Sequence, residues 1–184
     1  MDNAAINYSR FLNGDDASFV EIVREYKDCV TLYINSYVSN IFVAEDLMEE
    51  TFFKLITKRP RFNEKSSFKT WLYAVARNIA LDYLRKNPNV TVPIESYENS
   101  LVEELTIEQQ YLKKEQKIEL YSVMNNLSYE YRQVLFLVYF EGFSNTQVAY
   151  VMKKSNRQIE NLLYRAKSSL KKWLEKEGFI YEEY

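Results

Sequence analysis

Apolar residues recur at helical spacing along almost the whole chain, and no other feature restricts its fold so severely. From about Ala17 to Val38, the side chains Phe19, Ile22, Val23, Tyr26, Val30, Tyr33, Ile34 and Tyr37 share one side of a helix that Asp15 or Asp16 can cap. A second helix is expected from about Val43 to Lys58, with Leu47, Met48, Phe52 and Leu55 inside, stopping before Pro60. A third, Phe68 to Lys86, ends at Asn87-Pro88. Only three glycines and three prolines occur in 184 residues, which leaves little turn chemistry for hairpins and argues against an all-β or doubly wound fold. The expectation is an all-α protein, and 47% hydrophobic content is enough for one core or two small ones.

The third helix has two dissimilar faces. Phe68, Trp71, Leu72, Val75, Ala76, Ile79 and Tyr83 fall on one arc and suit a core, whereas Lys69, Tyr73, Arg77 and Arg85 fall on the other, expected outer, face. Cations beside an aromatic ring suit a phosphate backbone and unstacked bases. A basic outer face is more often only a solvated surface. Its surroundings shift the balance: between Lys58 and Lys86 there are eight basic residues and two acidic ones, in a chain of formal charge -2.

Several chemistries are excluded. With no histidine and one cysteine, the usual zinc sites, catalytic triads and internal disulfides cannot form, and no Gly-rich phosphate loop exists. Cys29 sits within an apolar-periodic helix and is expected to be a small buried side chain in a reducing compartment. The acidic residues Glu45, Asp46, Glu49 and Glu50 lack an accompanying base or metal ligand and read as a solvated or protein-binding face. The N-terminus lacks a signal peptide's pattern, and no apolar run would cross a bilayer. The expectation is a cytoplasmic protein with no membrane partner, no cofactor, no metal and no catalytic residues.

Residues 89–110 carry five acidic side chains, no basic ones and Pro93, and read as an acidic linker between a domain at 1–88 and another at 111–184. Helicity is expected to resume near Ile107 and run to about Asn126. Beyond it, Ser144 to Gln147 and Ser155 to Gln158 each have the Ser-x-x-Gln form of a capping box. Their spacing fits a short helix from about Asn145 to Met152, a turn at Lys153-Lys154, and a longer helix from Asn156 to about Leu174: a helix-turn-helix. Val148, Ala149, Val151, Ile159, Leu162 and Leu163 would pack it against Leu127, Val134, Leu135, Val138 and Tyr139. From Ser155 to Lys172 the net charge is +4, which favours DNA over an ordinary helical bundle.

In this order, AEDLMEETFFKL (Ala44 to Leu55), SFKTWLYAVARNIALDYLRK (Ser67 to Lys86) and the segment from Leu127 to Lys172 resemble regions 2.2, 2.3–2.4 and 4 of bacterial sigma-70 factors of the extracytoplasmic function (ECF) group. The resemblance implies a fold and a role. The fold would be two small helical domains, region 2-like and region 4-like. The protein would bind core RNA polymerase and promoter DNA, direct the polymerase to promoters and assist melting. Asp46, Glu49 and Glu50 would meet the β′ clamp helices, and the second domain the β flap. Phe62, Asn63, Lys65, Ser66 and Asn78 would hold a flipped base of the -10 element, with Trp71, Tyr73, Arg77 and Arg85 along the melted strand. Ser155, Asn156, Arg157, Gln158, Asn161 and Arg165 would contact the -35 element. An anti-sigma factor is a further implied partner.

The chain departs from the family pattern in places. Glu49 stands where many relatives have Gln, and Lys153 where the turn often has Gly, at a cost of roughly 1 kcal/mol for a left-handed Lys. Glu160 and Leu162 occupy often-basic positions of the recognition helix, which makes Arg157, Gln158 and Asn161 the better base-reading candidates. Two other classes compete: a free-standing helix-turn-helix regulator, and a protein-binding module such as a sigma antagonist. The regulator has no need of a strand-melting face, and the binding module does not account for cationic helices in both domains.

Overall fold

The structure, a computed structural model, describes residues 2–88 and 123–176. The expected linker at 89–110 and nearly all of the helix expected from Ile107 to Asn126 lie outside them. Among the described residues there are seven α-helices, one π-helical turn and no strand.

Six of the seven helices begin where a polar side chain takes up free N-H groups of the first turn; Ser128, before Tyr129–Leu135, makes no such bond. Helix α1, Asn3–Leu12, was not anticipated from periodicity and is capped by Asp2, whose carboxylate accepts from the amides of Ala4 and Ala5. Helix α2, Asp16–Val38, is capped by Asp15, and the Ser18 hydroxyl holds that exposed carboxyl below its usual pKa. Helix α3, Ile41–Lys58, is capped by Asn40 and stops at Arg59, which is left-handed (φ 43°) just before Pro60. Helix α4, Phe68–Lys86, has the expected bounds; Ser67 accepts from the Thr70 amide, and a second carboxylate oxygen of Asp2 accepts from the Phe68 amide at 2.6 Å. Asp2 therefore ties two helix N-termini together.

The second half opens with helix α5, Tyr129–Leu135, which runs directly into the π turn Phe136–Phe140. Helices α6, Asn145–Met152, and α7, Asn156–Lys176, form the expected helix-turn-helix. Both capping boxes are present: Gln147 and Gln158 reach back to the amides of Ser144 and Ser155 while the serine hydroxyls accept from the glutamine amides. Lys153 is left-handed, φ 54°, as the turn demands.

Helix α2 is the centre of the packing, touched by α1, α3, α4 and α5. Its expected apolar side is buried, Val23 partly, against Leu47, Phe52 and Leu55 of α3 and Phe68, Leu72, Ala76 and Ile79 of α4. The two halves of the chain share one core. Tyr33 of α2 lies 5.9 Å from Phe136, and Tyr73 of α4 lies 5.3 Å from Phe143, ring centre to ring centre.

The structure corrects three expectations. Tyr73 is not on an outer face: it is fully buried, because α6 and the turn before it pack over that side of α4. Cys29 is exposed, lying on the side of α2 that carries Glu25 and Asp28. Tyr139 is half exposed, since the π turn advances the chain out of α-helical register and turns it toward Lys167, whose ammonium lies 5.6 Å from the ring.

Candidate nucleic-acid interface

The loop 59–67 stands on an aromatic base. Phe62 packs edge-on to Phe68 at 5.7 Å and against Trp71 at 5.5 Å, and Tyr8 of α1 completes the cluster from below. The Tyr8 hydroxyl donates to the Pro60 carbonyl at 2.8 Å, anchoring the loop to α1. Burial pushes its phenol up to about 12, and the nearby Arg59 charge opposes that rise. Above the base the loop is polar and open: Asn63 and Lys65 are exposed, Ser66 half exposed, and the Asn63 side chain accepts from the Lys65 amide. A recess of about 450 Å³ runs between loop and helix, lined by Phe62, Glu64 and Ser66 on one side and Ser9, Arg10 and Asn13 on the other. The α1 wall was invisible in the sequence, because nothing local links it to a loop fifty residues away.

Along α4 the expected contact residues divide. Arg85 is exposed and paired with Asp82 at 2.9 Å, and Trp71 is half-buried in the aromatic base. Lys69, Tyr73 and Asn78 face the second half of the chain, whereas Arg77 lies against Tyr33 and Tyr37 of α2. Lys69 pairs with Glu141 at 2.8 Å, and Lys153 donates to the Asn78 side chain at 3.0 Å. Between these contacts, Gln147 donates to the Thr70 hydroxyl at 3.1 Å. The Tyr73 hydroxyl and the Arg77 Nε are buried without a hydrogen-bond partner. Burial first, and then the Glu141 charge, raise the Tyr73 phenol far above its ordinary range.

On the helix-turn-helix, Ser155, Asn156, Arg157, Gln158, Asn161 and Arg165 are all exposed, while Ile159 and Ala166 point inward. Gln158, Asn161 and Arg165 share a recess of about 330 Å³ with Lys154 and Glu130, themselves paired at 3.0 Å. Glu160 is exposed and Leu162 half-buried. Tyr164, 77% exposed one turn beyond Asn161, joins this face; its position seven residues after Arg157 was the available clue.

A third surface lies on α3. Glu45, Asp46, Glu49 and Glu50 are exposed, and so are Phe42 (75%) and Phe53 (64%), with Ile56 beyond them. Large apolar side chains interleaved with carboxylates on one helix face mark a protein-binding stripe more than a solvated one. Helical spacing around the acidic cluster could have revealed the two phenylalanines. Among the described residues, no group of three His, Cys, Asp or Glu could hold a metal ion, and no helix is long and apolar enough to cross a membrane.

Two family models match this chain: Sigma-70 region 2 over residues 22–89 and Sigma-70, region 4 over residues 117–170. It is 28% identical to the ECF RNA polymerase sigma factor SigM of Bacillus subtilis over 82% of this chain and 91% of that protein. It is also 28% identical to the ECF RNA polymerase sigma-E factor of Haemophilus influenzae, over 88% of this chain and 89% of the other. Among solved structures, sigma factor RpoE in complex with the anti-sigma factor NepR from Bartonella quintana is similar with a TM-score of 0.64 at 25% identity, covering 85% of this chain and 96% of that one. CnrH, in complex with the cytosolic domain of CnrY, shares the fold with a TM-score of 0.67 at 18% identity, over 95% and 99% of the two chains.

Proposed function

A chain matched in both regions belongs to the sigma-70 family, in its ECF branch, and we propose that its three surfaces divide the work of a sigma factor among them. It binds core RNA polymerase, directs it to specific promoters and assists their melting. The observation that carries this is the coexistence of surfaces for duplex DNA, for unstacked bases and for a protein on one chain. A free-standing regulator needs only the first.

In our reading α3 docks on the β′ clamp helices through Asp46, Glu49 and Glu50, with Phe42 and Phe53 as its apolar anchors. Exposed apolar and charged groups together give both buried area and orientation. The loop residues Phe62, Asn63, Lys65 and Ser66 receive a flipped -10 base in the recess against α1. Asn78 assists in holding that base, and Trp71, Tyr73, Arg77 and Arg85 follow the melted strand, because unstacked bases need aromatic platforms and nearby cations. Helix α7 enters the major groove at the -35 element, with Arg157, Gln158, Asn161, Tyr164 and Arg165 leading and the second domain seated on the β flap. The domain boundaries follow the same division: 1–88, 89–110 and 111–184. The site of action is the cytoplasm, an anti-sigma factor is a further partner, and the protein is not an enzyme.

Promoter elements centred near -10 and -35 are separated by about 25 base pairs, or ~85 Å at 3.4 Å per pair. A compact chain of this length has a radius of gyration of only roughly 16 Å. The packed arrangement of the two halves must therefore open before both elements are engaged.

Run-off transcription with core polymerase on a promoter library tests the reading: transcripts should start from a subset of promoters sharing two spaced elements. No stimulation of the polymerase, together with tight sequence-specific duplex binding by the isolated chain, would assign a free-standing regulator instead. Reversing charge at Asp46 and Glu49 should weaken assembly with core polymerase without altering thermal stability, since exposed charges contribute little to folding. Unchanged affinity in a pull-down would remove α3 as the docking surface.

A further inference from the structure

The face of α4 assigned above to the melted strand is occupied, and its occupant has the chemistry of what it excludes. The turn from Glu141 to Ser144 presses on α4 from the second half of the chain. Lys69 grips Glu141 twice, pairing with the carboxylate at 2.8 Å and donating to the main-chain carbonyl at 3.3 Å. The same ammonium lies 5.3 Å from the centre of the Phe143 ring, and Tyr73 packs edge-on against that ring. A cation and an aromatic platform on α4 thus hold a carboxylate and a flat ring. Those are the two groups that a nucleotide would bring as phosphate and base.

We propose that this turn is an internal stand-in for single-stranded DNA: Glu141 takes the place of a backbone phosphate on Lys69 and Phe143 that of an unstacked base against Tyr73. The inference rests on the reading of α4 as the melted-strand face.

Two observations support a contact made to be released. The Tyr73 hydroxyl is buried in this seam with no hydrogen-bond partner, an arrangement that a permanent interior rarely tolerates. The π turn Phe136–Phe140 ends immediately before Glu141, and such single-turn irregularities concentrate at functional sites. Gly142 follows with a left-handed backbone, φ 68°, which lets the chain reverse directly after Glu141 and bring Phe143 onto α4.

The consequence is competition. In the closed form α4 cannot take a strand, so the apparent affinity of the free protein for single-stranded DNA is reduced by the fraction of molecules that are open. The test uses the full chain without polymerase and a fluorescein-labelled oligothymidine 12-mer, read by anisotropy. Glu141→Ala and the near-isosteric Glu141→Gln are compared with Glu25→Ala, which changes net charge equally on an exposed face of α2. Circular dichroism monitors folding, and small-angle scattering reports opening. Both Glu141 variants should enlarge the radius of gyration and bind the oligomer about tenfold more tightly than the Glu25 control. Adding Lys69→Ala to Glu141→Ala should cancel the gain.

Opening without tighter binding would overturn the stand-in, and so would variants that remain closed. A parallel measurement separates this failure from that of the α4 reading: Arg77→Ala in holoenzyme, with promoter opening followed by permanganate. If opening falls while the Glu141 variants bind no better, α4 remains the strand-binding face and only the stand-in fails. If opening is normal, both readings fall together.

Discussion

Helix α4 is buried on two sides, and the two sides are built differently. Toward α2 and α3 it presents Phe68, Leu72, Ala76 and Ile79, apolar groups that meet other apolar groups. Toward α6 and the turn before it stand Lys69, Thr70 and Tyr73, which meet a carboxylate, a glutamine and an aromatic ring. The first side loses nothing by permanent burial, because hydrophobic contact is non-directional and leaves no polar atom unsatisfied. The second keeps the Tyr73 hydroxyl without a partner. Burial alone therefore does not distinguish core from interface; the satisfaction of polar atoms does.

The contrast can be broken or sharpened by mutation. Leu72→Ala on the first side should cost ~2–5 kcal/mol in urea denaturation, the value for a fully buried leucine whose neighbours cannot collapse. A cost under about 1 kcal/mol would mean that this side is as loosely held as the other. Lys69→Ala on the second side should cost less, about 1–3 kcal/mol, by leaving the Glu141 carboxylate short of its partner; the partial exposure of Lys69 keeps the loss at the lower end. Arg77→Ala should leave assembly with polymerase intact but impair promoter opening, by ~1–3 kcal/mol if a contact to one nucleotide is lost. A template already mismatched across the -10 region should restore transcription. The smallest effect is expected for Tyr73→Phe, which deletes a hydroxyl that has no partner: stability should stay within about 1 kcal/mol of the parent or rise, by thermal denaturation. A clear destabilisation would show that the hydroxyl is satisfied and the second side tighter than described.

Local features were legible in the sequence and distant ones were not. The bounds of α4, both capping boxes, the left-handed Lys153 and the inward side of α2 depend on residues a few positions apart, where periodicity and capping chemistry act. The family resemblance was equally readable, being carried by motifs in order. Periodicity assigned Tyr73 to an outer face, whereas it packs between Tyr33 of α2, at 4.9 Å, and Phe143 of the second half, a contact that no local pattern could reveal. Helix α1 escaped notice, and with it Asp2, whose bond to the Phe68 amide spans 66 positions. The burial of Tyr73 also changes how it should be used: Tyr73→Ala would leave a void as well as remove a platform.

The π turn makes chain length itself a determinant of the closed form. Phe136–Phe140 accommodates one residue more than an α-helical turn would, and the Glu141 amide reaches back five positions to the Phe136 carbonyl. Were the segment to relax to ordinary α-helix with all its residues kept, everything after it would rotate by about 100° relative to α5. The carboxylate would still be present, and its charge unchanged, but it would no longer point at Lys69. Whether the two halves lock together is thus written partly as a count of residues, which an insertion or deletion can alter without touching either surface.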